Sequence, residues 1–356
     1  RYSPEAPGLP ETFIPAGRGG LASARALAFG PDGMLYVVDR ARGAVLRFDA
    51  ATGDYVDEAV PVGAMESPET LAITTKVNAV RPGHSGHWFD PARSGEGWLV
   101  EVLPDGRAAV LWFTYPAAGE SDEQMWLTGA GTVEDDAIVI PDMLRVRGPR
   151  FGSGFDPADV VLSRWGTLTL RFDDCRAGTA TWSAGPGYGS GSRAMTRLAG
   201  IAGLPCEQAP LEAAPERPGV SGQWFDPVQD GQGWLLQEVR PNELFMAWFT
   251  YDDAGRPAWI VGSGALDGAT ARFEELLLTR GTRFGEDFDA SVVQRIPWGT
   301  ATIDFAGCGA SSIRWTTDRT GFVSGSLAPV RLTRVDTLAC TIGTAPATMD
   351  PVSGAR

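Results

Sequence analysis

Residues 86–98 read GHWFDPARSGEGW, and residues 222–234 read GQWFDPVQDGQGW. Aligned on this phrase, the chain falls into register with itself. Trp88, Trp98 and Trp112 match Trp224, Trp234 and Trp248 at an offset of 136 residues; Trp126, Trp165 and Trp182 match Trp259, Trp298 and Trp315 at 133. All twelve tryptophans are paired in this way. The offset changes between PAAGESDEQMW (116–126) and DDAGRPAW (252–259), which reads as a turn. WFTY recurs at 112–115 and 248–251, WGT at 165–167 and 298–300, and SGS at 190–192 and 324–326. The chain therefore carries a tandem duplication of about 120 residues, over 84–206 and 220–340.

Short apolar segments broken by turn residues, with 45 Gly and 26 Pro in 356 residues, mark an all-β protein. In the first copy the pattern predicts eight strands, near 86–90, 97–103, 107–115, 124–132, 137–144, 159–173, 178–183 and 193–199. PDG at 104–106 and GPG at 185–187 supply turns. Eight sequential strands with hairpin-sized connections suit an up-and-down barrel or a two-sheet sandwich. The layout resembles the avidin and lipocalin barrels in architecture, without sharing a motif with either. The expected organisation is an N-terminal segment (1–76), the two repeats and a C-terminal tail (341–356).

The cysteines follow the duplication: Cys175 matches Cys308 and Cys206 matches Cys340. Four cysteines allow three connectivities. The repeat favours Cys175–Cys206 and Cys308–Cys340, one bridge per copy, with four buried thiols as the alternative. Disulfides imply an oxidising compartment. The chain begins at Arg1, as after removal of a signal peptide or excision from a longer protein. The expected location is extracellular or at the cell surface, with the periplasm as the alternative.

The formal charge is −14, Lys76 is the sole lysine, and no basic stripe is present, which argues against a nucleic-acid partner. No run of 18 apolar residues exists to form a transmembrane helix.

Upstream of the repeats, AFGPDG (28–33) leads into LYVVD (35–39) and then VLRFD (45–49). This resembles one blade of an NHL or SMP-30-type β-propeller. ETFIPAG at 11–17 echoes DEAVPVG at 57–63, and LASARALAF at 21–29 echoes MESPETLAI at 65–73, a spacing of one blade. The resemblance implies a four-stranded sheet over about 11–73, with the opening of a second. A lone blade cannot bury both faces by itself. The tandem WFDP module resembles domains of uncharacterised secreted bacterial proteins, a resemblance that implies no activity.

Catalytic constellations are sparse. The two histidines, His84 and His87, correspond to Val220 and Gln223 in the second copy and read as surface-loop residues rather than metal ligands. No GxSxG elbow or GxxxxGK loop occurs. DPVQDGQG at 226–233 has Val228 at the third position of a calcium loop, so loosely bound calcium is the most this stretch suggests, and no cofactor is expected. Asp90, Asp226, Asp156 and Asp289 stand in turn contexts that Asx capping explains. Glu96 and Glu101 flank Trp98 and are weak candidates for a glycosidase-like carboxylate pair; the second copy has Gln232 and Gln237 there.

Strand alternation places most tryptophans in cores. On the WGT strand, however, strict alternation puts Trp165 beside Thr167, and Trp298 beside Thr300, on the polar face. These residues, with Tyr115 and Tyr251, are the candidate sugar-stacking platform. The leading functional expectation is a secreted or cell-surface, non-enzymatic structural protein that associates with copies of itself through the incomplete blade and the barrels, as a polymer or filament subunit. A module binding extracellular glycan or a small ligand is the first alternative, and a glycoside hydrolase the second.

Overall fold

The computed structural model describes residues 2–3, 6–10, 12–30, 33–71, 79–206 and 219–342. The chain divides into two compact units, Arg1–Val77 and Asn78–Arg356. In the tail expected at 341–356, residues 343–356 lie outside the described residues, as do 72–78 at the opening of the second blade-like stretch.

In the first unit, β1 (Tyr2–Ser3) and β2 (Ala6–Pro10) form a two-stranded ribbon. A four-stranded antiparallel sheet follows, ordered β3 (Ala24–Phe29), β4 (Met34–Asp39), β5 (Ala44–Asp49) and β6 (Tyr55–Val60). Alternation sends Leu35 and Val37 of β4, with Leu46 and Phe48 of β5, to one face, where Phe13, Ile14 and Leu21 pack on them. The buried Asp39 ends β4 and accepts hydrogen bonds from the amides of Ala22 (2.8 Å), Ser23 (3.0 Å) and Arg42 (3.3 Å), fixing the incoming strand against the β4–β5 turn.

The second unit holds both repeats. The first is a closed eight-stranded up-and-down barrel: β7 (Gly86–Phe89), β8 (Gly97–Val102), β9 (Arg107–Thr114), β10 (Met125–Glu134), β11 (Ala137–Arg147), β12 (Val161–Phe172), β13 (Ala177–Ala184) and β14 (Ser190–Gly200). The second runs through β15 (Gly222–Phe225), β16 (Gly233–Arg240), β17 (Glu243–Tyr251), β18 (Pro257–Asp267), β19 (Thr270–Arg280), β20 (Gln294–Phe305), β21 (Ser311–Thr316), β22 (Gly325–Leu327) and β23 (Val330–Arg331). These nine strands form one curled sheet whose opposite edges are β22 and β23. Only Ala328 and Pro329 separate those edges in sequence. Pro329 stands where the first copy has Met195; having no N–H, proline breaks the ladder that β14 maintains unbroken. The alternatives of barrel and sandwich resolve to barrel architecture. The bridges are Cys175–Cys206 and Cys308–Cys340.

Five tryptophans fill each barrel: Trp88, Trp98, Trp112, Trp165 and Trp182 in the first, Trp224, Trp234, Trp248, Trp298 and Trp315 in the second. The sixth pair, Trp126 and Trp259, lies in an apolar seam between the barrels with Leu99, Leu111, Leu235 and Phe249. The seam is reciprocal. Trp126 Nε1 donates to the carbonyl of Thr250 (3.2 Å), and Trp259 Nε1 to that of Thr114 (3.4 Å). Because β8 sends Trp98 and Val100 into the barrel and Leu99 and Glu101 into the seam, every residue of that strand is buried.

Candidate functional site

The loops following β11 and β19 set the chemistry of the barrel mouths. They carry the related phrases RGPRFGSGFDP (147–157) and RGTRFGEDFDA (280–290). Each loop leaves its own barrel and closes the other. Phe284 enters the first barrel, with ring centroids 5.6 Å from Trp112, 5.9 Å from Trp182 and 5.1 Å from Tyr188. Phe151 enters the second, 5.3 Å from Trp248, 6.0 Å from Trp315 and 5.0 Å from Phe322. The amide of Phe284 donates to the carbonyl of Pro116 (2.9 Å), and that of Phe151 to Asp252 (3.1 Å).

Beside the Phe284 plug lies a buried charged cluster. Glu96 Oε1 accepts from Arg93 Nε and from Arg193 Nη1, and Oε2 accepts from the Thr114 hydroxyl. The Arg193 guanidinium lies 4.7 Å from the Trp182 ring centroid and 5.1 Å from that of Phe284. Burial lowers the pKa of Arg193, with the charge of Glu96 opposing the shift.

The second copy builds the same mouth without charge. Gln229, Gln232 and Leu327 replace Arg93, Glu96 and Arg193, while Thr250 replaces Thr114. Gln232 Oε1 accepts from Trp248 Nε1 (3.2 Å) and from the Thr250 hydroxyl, and Gln232 Nε2 donates to Gln229 Oε1 (2.6 Å). Because an indole N–H only donates, Trp248 fixes which end of Gln232 faces it. That choice leaves the Gln229 amide nitrogen at the open end. A cavity of about 430 Å³ lies here, between Phe151, Trp248 and Trp315, with Ser326 and Leu327 on its rim.

The expected sugar platform is not on a polar face. Trp165 and Trp298 are buried, 6% and 1% exposed. Pairing runs Ile140↔Leu168, Met143↔Gly166 and Leu144↔Arg164, so a bulge drops Trp165 out of register and turns it inward. The second copy does the same, pairing Leu276↔Gly299 and Leu277↔Pro297 around Trp298. Glycine after the tryptophan is required: a Cβ on Gly166 would meet the Ser183 carbonyl at 2.2 Å, and one on Gly299 the Thr316 carbonyl at 2.1 Å. The bulge therefore corrects the strict alternation that grouped Trp165 with Thr167 and Trp298 with Thr300; the threonines remain outside, half-buried and exposed respectively.

Tyr115 and Tyr251 are likewise enclosed. The Tyr115 hydroxyl donates to the carbonyl of Gly95 (3.0 Å) and lies 3.1 Å from Thr279 Oγ1; that of Tyr251 donates to the carbonyl of Gly231 (2.8 Å). They lock the seam.

Glu96 and Glu101 do not converge. They lie five residues apart, Glu96 just before β8 at the barrel mouth and Glu101 on β8 facing the seam. Glu101 Oε2 accepts from Gln223 Nε2 (3.1 Å) and the Thr333 hydroxyl (2.7 Å). Burial pushes its pKa up to about 7.

The histidines, expected in a surface loop, are buried instead. His84 Nδ1 accepts from the Arg81 amide (2.9 Å), and the ring packs 4.8 Å from Phe172. His87 lies 4.3 Å from Phe245 in the seam. Burial pulls both pKa values down to about 4. His84 also lies close to Cys175 and Cys206, whose sulfurs are joined in a disulfide and so offer no thiolate to a metal. Asp90, Asp156, Asp226 and Asp289 each accept from the amide two residues on, as Asx capping requires. Asp226 additionally accepts from the Ala328 amide (2.8 Å), so both of its oxygens hold backbone. Among the described residues no helix is long and apolar enough to cross a membrane.

The exchanged phenylalanines and the cavity were missed from sequence because RFG stands in a polar, glycine-rich stretch. The repeated phrase itself was the available signal.

No family model matches the chain, and no curated protein matches it. Among solved structures, a luciferin-regenerating enzyme aligns over 90% of this chain and 94% of its own at 10% identity, with a TM-score of 0.12. The PQQ-bound aldose sugar dehydrogenase of Streptomyces coelicolor aligns over 87% and 95% at 12% identity and a TM-score of 0.11. The apo soluble aldose sugar dehydrogenase of Escherichia coli aligns over 87% and 96% at 14% identity, and its TM-score of 0.12, like the others, is too low to assign a shared fold.

Proposed function

We propose that this chain is an extracellular or cell-surface, non-enzymatic assembly protein whose N-terminal sheet joins copies of the chain. The observation that carries the reading is that, among the described residues, no strand pairs with the outer edge of β3. On edge strand β3, Leu27 and Phe29 are 63% and 67% exposed, beside an apolar hollow of about 680 Å³ lined by Phe13, Ile14, Leu21, Leu35 and Val37. The opposite edge is more heavily charged than β3, whose one charged side chain, Arg25, pairs with Glu69. There β6 carries Asp57 and Glu58, paired with Arg47 and Arg42. Charge is a common protection of sheet edges against pairing, and an exposed apolar edge is an association surface.

The occupant of this edge is a second copy. Two β3 strands paired about a twofold axis would extend the sheet and cover Leu27 and Phe29 with their counterparts. The two disulfides support an oxidising location. The separation of Glu96 from Glu101 supports the non-enzymatic side of the reading.

The test is multi-angle light scattering across a concentration series, followed by negative-stain microscopy of the same sample. Dimers or filaments are expected from the parent chain, and monomers from the Leu27→Asp, Phe29→Asp double variant. A parent chain that stays monomeric at every concentration sinks the proposal.

A further inference from the structure

The first barrel shows what the second barrel's cavity is shaped to hold. Leu327 aligns with Arg193, one residue after the shared SGS phrase. In the first copy the Arg193 guanidinium is flanked by Trp182, Phe284 and, at 6.0 Å, Trp112. The matching residues of the second copy are Trp315, Phe151 and Trp248, and these line the cavity of about 430 Å³. The cavity is thus the volume that Arg193 fills in the first copy and that the shorter Leu327 leaves open. A flat, hydrogen-bonding group held between aromatic rings is built into one mouth; the other offers the same rings to a group from outside.

We propose that the mouth of the second barrel binds a neutral, hydroxyl-rich pyranose sugar, as a mono- or disaccharide. Four observations select that class. No residue lining the cavity is charged, so neither an anion nor a cation finds a counter-charge there. Phe151 and Trp315, each 7% exposed and backed by the fully buried Trp248, give an aromatic surface against which the apolar face of a sugar ring packs. The relay from Trp248 through Gln232 to Gln229 presents the Gln229 amide nitrogen, which donates to no protein atom among the described residues, and Ser326 adds a hydroxyl on the rim. Finally, the volume lies within the range of small-molecule sites, about 300–1,000 Å³. The site is distinct from Trp165 and Trp298 as a polar-face platform, and it stands independently of association through β3.

The experiment is calorimetric titration of the full chain with cellobiose and with N,N′-diacetylchitobiose, using cyclohexanol as a non-sugar control. Saturable one-to-one binding of at least one disaccharide is expected, without binding of cyclohexanol. Gln229→Ala should weaken it about 5–10-fold, the loss of one hydrogen bond. The triple variant Gln229→Arg, Gln232→Glu, Leu327→Arg rebuilds the first copy's cluster and should abolish binding. Leu327→Trp blocks the same volume without adding charge, and so tests the site even if the triple variant fails to fold. Absence of saturable binding of either disaccharide up to tens of millimolar overturns the proposal, as does binding that survives Leu327→Trp or binding matched by cyclohexanol.

Discussion

Phe284 sits 5.6 Å from Trp112, inside a barrel to which its own repeat contributes no strand, and Phe151 makes the reciprocal approach to Trp248 at 5.3 Å. The duplication has become an internal pseudo-dimer in which each copy completes its neighbour's core. Each plug is 7% exposed or less. Truncating either to alanine should cost about 3–5 kcal/mol, as for other buried phenylalanines. Because the plugs belong to opposite repeats, Phe284→Ala should loosen the tryptophans of the first barrel. Urea melts with near-ultraviolet circular dichroism check both the loss and the transmission across the seam.

The cluster of Arg93, Glu96 and Arg193 gives a second expectation, for which the chain supplies its own control. Glu96→Gln alone leaves the guanidinium groups of Arg93 and Arg193, 15% and 9% exposed, without their shared carboxylate and should destabilise by about 3 kcal/mol, the lower end of the range for a buried pair. Replacing the whole set with the second copy's residues, Arg93→Gln, Glu96→Gln and Arg193→Leu, should cost less than Glu96→Gln alone, because the desolvation cost of all three charges disappears together and only the space left by the shorter Leu opposes it. Equilibrium denaturation of the single and triple variants decides this; a triple variant less stable than Glu96→Gln would refute the argument.

The disulfides were readable from the duplication alone, and their energetic role follows from the loops they close. Separations of 31 and 32 residues give about 3–4 kcal/mol each in the chain-entropy model. Replacing Cys308 and Cys340 with serine should lower stability by that amount, and Cys175 with Cys206 by a similar amount. Thermal melts under non-reducing conditions provide the comparison.

Why some features were legible and others not is clearest on the WGT strand. Turn residues and apolar spacing located all eight strands of the first copy to within a few residues, because hairpin chemistry is local. The direction of Trp165 was not local. It depends on a bulge across β11 and β12 that shifts the pleat by one residue, and the only trace in sequence is Gly166. Glu101 poses the same difficulty in another form. A lone glutamate on β8 reads as a solvent-facing strand position, yet it is covered by the second copy through Gln223 and Thr333, more than 120 residues downstream. His84 and His87 read as surface-loop residues for the same reason: their covering partners, Phe172 and Phe245, are distant in sequence and leave no local trace.

The seam also predicts two opposing pH trends, separable by mutation. Burial raises Glu101 from 4.5 to about 7, against the pull of Thr333, Gln223 and the nearby charge of Arg331. Between those values the folded chain keeps a proton that the unfolded chain has released, so this group makes stability fall as pH rises from 4.5 to 7. Burial lowers His87 from 6.5 to about 4, against the opposing influence of the neighbouring Gln237 side chain. Between pH 4 and 6.5 the unfolded chain takes up a proton that the folded chain refuses, so this group makes stability rise with pH. Glu101→Gln, the residue already present at 237, should therefore gain on the parent chain above pH 7, by about 3 kcal/mol if the full shift is expressed. His87→Gln, as at 223, should gain on it near pH 4 instead. Denaturant melts from pH 4 to 8 on the parent chain and both variants test the pair; a Glu101→Gln variant whose stability tracks the parent chain at every pH would show that the carboxyl is not held protonated.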